Sequence, residues 1–306
     1  MDRRDFLKWQ LGGMLLATAG PGLLSLPRFA LADGTPDVGV VKGAPGAATR
    51  AAVEMLGGMG RFVKAGQKVI IKPNMSFAKG PESATTTHPE VVRELLVMCG
   101  EAGAGSVRVL DNSLQDAENS LNRSGIRDAC NAVVPGICHH LLDDSFYMEA
   151  DIEGAKEMRR NAFMRDVLDA DVLIAAPVAK SHSSAGVSLS LKGQMGLILD
   201  RRVMHSRYSL DVSIVDLNCR VKPHLAVIDA TRVLSSGGPG GPGTVLTPGE
   251  VIASADPVAA DATAVASYEW YGRKFEPRQV AHIREAHERK LGRMDIENLL
   301  VKRMAL

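Results

Sequence analysis

Three ionisable side chains stand within thirteen positions of otherwise small or apolar sequence: Lys180, His182 and Lys192, inside the run from Asp171 to Asp200. A lysine in such surroundings costs desolvation free energy unless an anion or a metal-bearing group offsets it. Its ammonium is a compact charge suited to carboxylate or phosphate, and burial lowers its pKa far enough for it to act as a base. Histidine titrates near neutrality and can shuttle a proton. Lys180, His182 and Lys192 are therefore the expected catalytic groups of a site that takes a small anionic ligand. The plain alternative is that Lys180 and His182 merely follow a strand on the surface.

Other candidates come from the ends of predicted strands. In open α/β sheets, ligand-contacting groups gather past the carboxyl ends of the strands. Lys68–Ile71 reads as a strand that finishes in Lys72-Pro73-Asn74, Val107–Leu110 finishes at Asp111, and Leu225–Ile228 finishes at Asp229. Lys72, Asn74 and Asp229 are thus expected ligand-binding residues. Asp261 joins them, because Asp256 already supplies the N-cap of its alanine-rich helix and Asp261 has no such duty. A divalent metal is the second expectation. His205 and Asp111 are its candidate ligands, since imidazole and carboxylate suit such ions.

Other histidines are set aside. His139 and His140 are adjacent on a strand and point to opposite faces. His282 and His287 lie five apart on a helix, off the i, i+4 spacing of a helical metal pair, and are expected at the surface. Thr85–Thr87 precede a helix opened by His88-Pro89 and would suit an anion near free helix N–H groups. Ser235–Thr244 is rich in glycine and proline. Pro239 and Pro242 lack N–H donors and no Lys-Ser/Thr follows, so it is not a nucleotide-binding loop; a mobile cover over the site is expected.

The chain has 306 residues, 45% of them hydrophobic and only 4% aromatic. Short apolar strands alternate with alanine- and leucine-rich helical patterns. That alternation predicts a doubly wound α/β fold with a mostly parallel sheet, helices on both faces and a small inserted lobe near 143–165. The N-terminus, Arg3-Arg4-Asp5-Phe6-Leu7-Lys8 followed by a glycine-containing apolar run, resembles a twin-arginine signal. Ala30-Leu31-Ala32 offers a cleavage site after Ala32. The expectation is a 1–32 signal peptide, a single domain over 33–306, export to the periplasm through the twin-arginine machinery, and no stable membrane span after cleavage. Arg3, Arg4, Lys8 and Arg28 leave with the signal, as do Asp2 and Asp5, so the remainder carries one net negative charge. Without a basic stripe, nucleic acid is not an expected partner. The four cysteines show no C-x-x-C, so a four-cysteine iron–sulfur cluster is not expected. Cys99 reads as a buried thiol, and Cys130 with Cys138 as a conceivable disulfide.

Lys68–Asn74, Pro177–His182, Ser190–Gly196 and the set formed by Ile228-Asp229, Gly237–Gly243 and Ser254–Asp261 together resemble the uncharacterised bacterial and archaeal domain-of-unknown-function family 362. The ordered blocks span nearly the whole chain after the signal. The resemblance implies an α/β fold and site positions at these blocks. Many family members carry a fused ferredoxin-like module whose cysteines are absent here, and glycine stands at 193 where the family commonly has asparagine. A looser similarity is to the lactate racemase family, in which a histidine precedes a lysine by ten positions, as His182 precedes Lys192, and another histidine follows, as His205 does. There the lysine and histidines serve a nickel-pincer cofactor.

Overall fold

The computed structural model describes residues 34–306, so the expected signal segment lies outside the described residues. In chain order the first elements are β1 (Val38–Lys42), α1 (Pro45–Met55), β2 (Lys68–Pro73), α2 (Pro89–Glu101), β3 (Ser106–Asp111), α3 (Ala117–Ser124), α4 (Ile126–Asn131) and β4 (Cys138–His140). Then come β5 (Tyr147–Asp151), β6 (Arg160–Met164), α5 (Arg165–Leu168), β7 (Val172–Ala176), β8 (Val178–His182), β9 (Gly186–Ser188), α6 (Ser190–Gly193) and α7 (Val203–Ser206). The rest are α8 (Leu210–Arg220), β10 (Leu225–Leu234), β11 (Val245–Leu246), β12 (Glu250–Ser254), α9 (Pro257–Ser267), β13 (Glu269–Trp270), β14 (Arg273–Lys274), α10 (Ala281–Glu288) and β15 (Val301–Ala305).

One mixed sheet runs in the order β15-β1-β12-β10-β7-β2-β3-β4. From β10 to β4 every neighbour is parallel, while β12 is antiparallel to both β1 and β10. The central strand β7 reads Val-Leu-Ile-Ala-Ala and is buried along its length, as a strand covered on both faces must be. Val172 and Ile174 pack with α1, α2 and α4 on one face. Leu173 packs with α8, α9 and α10 on the other. This is the doubly wound α/β arrangement that the alternation of strands and helices implies.

The winding creates the crevice. From β2 the chain passes through α2 on one face to β3; from β7 it passes through α8 on the opposite face to β10. Adjacent strands β2 and β7 therefore send their connections away from each other, and a gap opens beyond their carboxyl ends. Lys72-Pro73-Asn74 finishes β2 at this gap. After β7, Pro177 breaks the ladder, and β8 resumes beside β10, turning back through β9 as a short hairpin.

The inserted lobe is an antiparallel pair, β5 with β6, separate from the main sheet. The buried Asp216 carboxylate of α8 ties it down, accepting the N–H groups of Lys156, Glu157 and Met158 together with Arg289 Nη1. Some boundaries depart from the sequence pattern. The helical stretch over 117–131 is two helices, broken at Gly125 with φ 72°. The helix begun by Asp256 stops at Ser267, and beyond it Trp270 turns inward and is fully buried. β15, which carries no clear strand pattern, pairs in parallel with β1. Cys99, Cys130, Cys138 and Cys219 are all free thiols, so the conceivable Cys130–Cys138 disulfide is not formed. Among the described residues no helix is long and apolar enough to cross a membrane.

Candidate functional site

Parallel pairing of β2 with β3 brings their carboxyl ends together, and with them Lys72 and Asp111. Lys72 Nζ lies 3.0 Å from Asp111 Oδ1, and both side chains are essentially inaccessible. The Asp111 carboxylate also accepts Met75 N at 3.1 Å, Ser76 Oγ at 2.9 Å and Asn112 N at 2.9 Å. Burial alone would raise its pKa, but Lys72, His140 and the amide donors outweigh that and hold the carboxyl below the usual range. Burial pulls Lys72 down against the attraction of Asp111. Beside an ionised, fully hydrogen-bonded carboxylate at 3.0 Å, the ammonium is the form that fits. Gly196 packs over this pair: a Cβ there would collide with Asp111 Oδ1 and stand 2.7 Å from Lys72 Cε.

Lys180 projects from β8 into the same region. Its Nζ donates to Thr85 O at 2.7 Å and sits 5.2 Å from the centre of the Phe77 ring. Burial first, then the charges of Lys72 and Lys192, lower its pKa to about 7. Lys192 rides on the short helix α6, with Nζ 3.4 Å from Met195 Sδ. Burial and the Arg201 charge lower it to about 8. Neither lysine forms an ion pair with a carboxylate among the described residues. His182 Nδ1 accepts the N–H groups of Ser184 and Ala185, each at 3.2 Å. Its neutral form therefore carries the hydrogen on Nε2. Burial and the neighbouring cations, Lys192 foremost, lower it to about 3. The exposed His205 stacks on it, ring centroids 6.2 Å apart and 19° from parallel.

Arg201 was not singled out by the sequence and belongs to this cluster. Nη1 donates to Asn112 O at 3.0 Å and Nη2 to Ser113 O at 2.7 Å. Its charge lowers both Lys72 and Lys192. The only sequence signal was its place in the polar loop after Asp200. Phe77 was likewise unmarked, because a lone aromatic in a polar loop has no pattern to distinguish it.

Other candidates serve the frame. Asn74 Oδ1 accepts Val178 N at 3.1 Å, and its N–H donates to Thr87 Oγ1 at 2.9 Å, stitching the end of β2 to β8 and the threonine loop. Asp229 accepts His88 N at 2.7 Å and both Thr231 donors, which fixes β10 to the start of α2 rather than to the lysines. Asp261 accepts Ser190 N and Leu191 N at 2.8 and 3.0 Å. It is buried at the base of α6, and so holds the helix that carries Lys192. Burial raises it to about 7 against those two donors. His282 is not at the surface as its spacing suggested. It is fully buried, with Nδ1 3.3 Å from Asp211 Oδ1, because α10 turns His282, Ile283 and Ala286 inward onto the core. His139 and His140 do diverge, one reaching Gly136 O and the other Asp111 O. Among the described residues no three His, Cys, Asp or Glu side chains converge as a metal site.

The glycine–proline loop lies over the cluster. Gly238 N donates to Ser181 Oγ at 3.0 Å, and Lys79 Nζ donates to Gly240 O at 2.6 Å. Gly240 rests against the Phe77 ring so closely that a Cβ would be 3.0 Å from it.

The profile of a family described as a domain of unknown function, DUF362, matches residues 69–266, which enclose every group in this cluster. The chain belongs to the DUF362 family. A thylakoid-associated protein of Synechocystis sp. is 26% identical over 201 residues, covering 63% of this DUF362 chain and 60% of that protein. The chain thus spans less than two thirds of that relative. Among solved structures, the lactate racemase apoprotein of Thermoanaerobacterium thermosaccharolyticum overlaps 65% of this chain and 52% of its own, with 13% identity and a TM-score of 0.42. A protein of Thermotoga maritima overlaps 61% and 51%, with 12% identity and a TM-score of 0.35.

Proposed function

We propose that this DUF362 protein is an enzyme that binds a small carboxylate or phosphate between Lys180 and Lys192, over the Lys72–Asp111 pair, and moves a proton on it. The observation that carries the reading is the pair of buried lysines, Lys180 and Lys192, with no carboxylate partner at the switch point of the sheet. Buried cations without counter-charge favour an anionic occupant. Lys180, at about 7, is the general base, since a group poised near the working pH transfers protons best. Lys192 neutralises the anion. His182 donates Nε2–H to it and stays uncharged. Lys72 and Asp111 keep the floor rigid, and Asn74 and Asp261 hold the strands and helix in place.

Inorganic phosphate, a small mono- and dianion near neutral pH, tests the binding step by NMR shift titration. Phosphate binding that weakens about tenfold or more in Lys180→Met and in Lys192→Met supports the reading, as loss of a charge-assisted hydrogen bond of about 1.5–3 kcal/mol requires. Equal binding in the wild type and both variants sinks it.

A cofactor-bearing site is the second reading, favoured by the near-parallel stack of His182 on His205. A nickel-pincer group would draw on Lys192 and these imidazoles and would supply hydride chemistry. Asp111 does not fit a metal-ligand role, since both its oxygens are occupied by Lys72 and by Met75, Ser76 and Asn112 donors. Metal analysis of freshly purified full-length protein decides between the two readings. We also propose export by the twin-arginine route with cleavage after Ala32. Arg3-Arg4→Lys-Lys, followed by cell fractionation, should leave the protein uncleaved inside the cell.

A further inference from the structure

Beside the lysine cluster lies an open cavity of about 480 Å³, walled by residues that include Asn112, Leu114, Asp144, Asp200, Arg201 and Arg202. Its size falls within the roughly 300–1,000 Å³ of small-molecule sites. It shares two walls with the cluster. Arg201 bears on Lys72 and Lys192 from one side and lines the cavity on the other. Asn112 donates its N–H to Asp111 Oδ1 and to Gly196 O, the two groups over Lys72, and also faces the cavity.

The lining has a different chemistry from the cluster. Two arginines are matched by two aspartates. Arg201 spends its donors on Asn112 O and Ser113 O, and Arg202 Nε stands 3.5 Å from Asp200 Oδ1. Leu114, more than half exposed, sits at the mouth. A second anionic group gains no net attraction here, and a wholly apolar chain would desolvate the carboxylates and guanidiniums without replacing their hydrogen bonds. A neutral body bearing hydroxyl or amide groups satisfies both donors and acceptors.

We infer that the cavity seats the neutral, hydroxyl- or amide-bearing remainder of a ligand whose anionic head lies among the lysines. This rests on the anion-binding reading above and adds the class of the rest of the molecule. The head is a carboxylate or a phosphate, and separate probes distinguish them. Acetate and phosphate report the head alone. Gluconate and glycerol 1-phosphate add a hydroxylated body, and hexanoate adds an apolar one. Each is titrated by NMR into the full chain, its Leu114→Trp variant, which narrows the mouth at an exposed position, and its Lys180→Met variant.

The expected result is a hydroxylated probe binding about tenfold tighter than its head alone, with that gain lost in Leu114→Trp and head binding unchanged. The head chemistry is the one of the two pairs that binds more tightly and weakens in Lys180→Met. Equal affinity for head and hydroxylated probe overturns the inference, as does a gain indifferent to Leu114→Trp or matched by hexanoate. In each of those cases a Lys180-dependent head leaves the anion-binding reading standing. If neither acetate nor phosphate depends on Lys180, the underlying reading fails and this inference falls with it.

Discussion

Two buried lysines at the same rim of the sheet meet different fates. Lys72 at the end of β2 faces a carboxylate 3.0 Å away that is itself held by three further donors. Lys180, on β8 beyond the end of β7, is just as buried but meets only a backbone carbonyl and the face of an aromatic ring. The first arrangement is complete by itself. The second is short of negative charge, as is Lys192. The contrast separates a cation that belongs to the architecture from cations that wait for an occupant.

The comparison breaks most sharply on stability. Lys72→Met strands the ionised Asp111 in the core and should cost about 3–5 kcal/mol in urea unfolding. Lys180→Met removes an uncompensated charge and should leave stability unchanged or raise it by up to about 2 kcal/mol. Equal losses in the two variants would erase the distinction. Next in size, Gly196→Ala forces a methyl group into the Lys72–Asp111 pair. It should cost about 1–3 kcal/mol, the usual range for overpacking, and be largely suppressed on the Lys72→Ala, Asp111→Ala background, which removes the atoms it meets.

Asp261→Asn replaces one of two carboxylate acceptors at the start of α6 with an amide. A loss of about 1 kcal/mol is expected, with weaker phosphate binding because Lys192 is no longer held.

The pH profile sharpens the comparison in a different way. Lys180 and Lys192 lie at about 7 and about 8 in the folded chain, against 10.5 when unfolded. Between about pH 7 and 10.5 the unfolded chain binds more protons, so these lysines make stability rise with pH across that window. Asp261, raised to about 7 from 3.8, works the other way and lowers stability between about pH 4 and 7. Urea midpoints measured from pH 7 to 10 should climb in the wild type and flatten in the Lys180→Met, Lys192→Met double variant.

Much of this was legible in the chain itself. The apolar run of β7, the proline that ends it and the polar residues that finish β2 and β3 mark a parallel sheet and the rim where ligands collect. What could not be read was which way each polar group spends its hydrogen bonds. Asp229 reads as a strand end like Asp111, yet β10 runs on to Leu234, Asp229 lies midway along it, and its oxygens go to His88 N and Thr231. That choice depends on where α2 begins in space, not on local pattern. Asp261 lacks a duty within its own helix and finds one across the core, at α6. His282 shows the same limit: spacing along α10 says nothing about Asp211 on α8. Arg201 escaped notice because a loop arginine acquires meaning only from the carbonyls that hold it.

Phe77 stands between the Lys180 ammonium and the backbone of Gly240. An ammonium attracts the ring face and a neutral amine does not. Loss of the Lys180 charge would remove one contact that orders this ring, while the bonds from Lys79 to Gly240 O and from Gly238 N to Ser181 Oγ would still hold the glycine–proline strap. Amide exchange at Gly240 and Gly241 is an outside gauge of how far that deep-lying amine reaches the rim: a pH-dependent change in the wild type that is absent in Lys180→Met is the expected outcome.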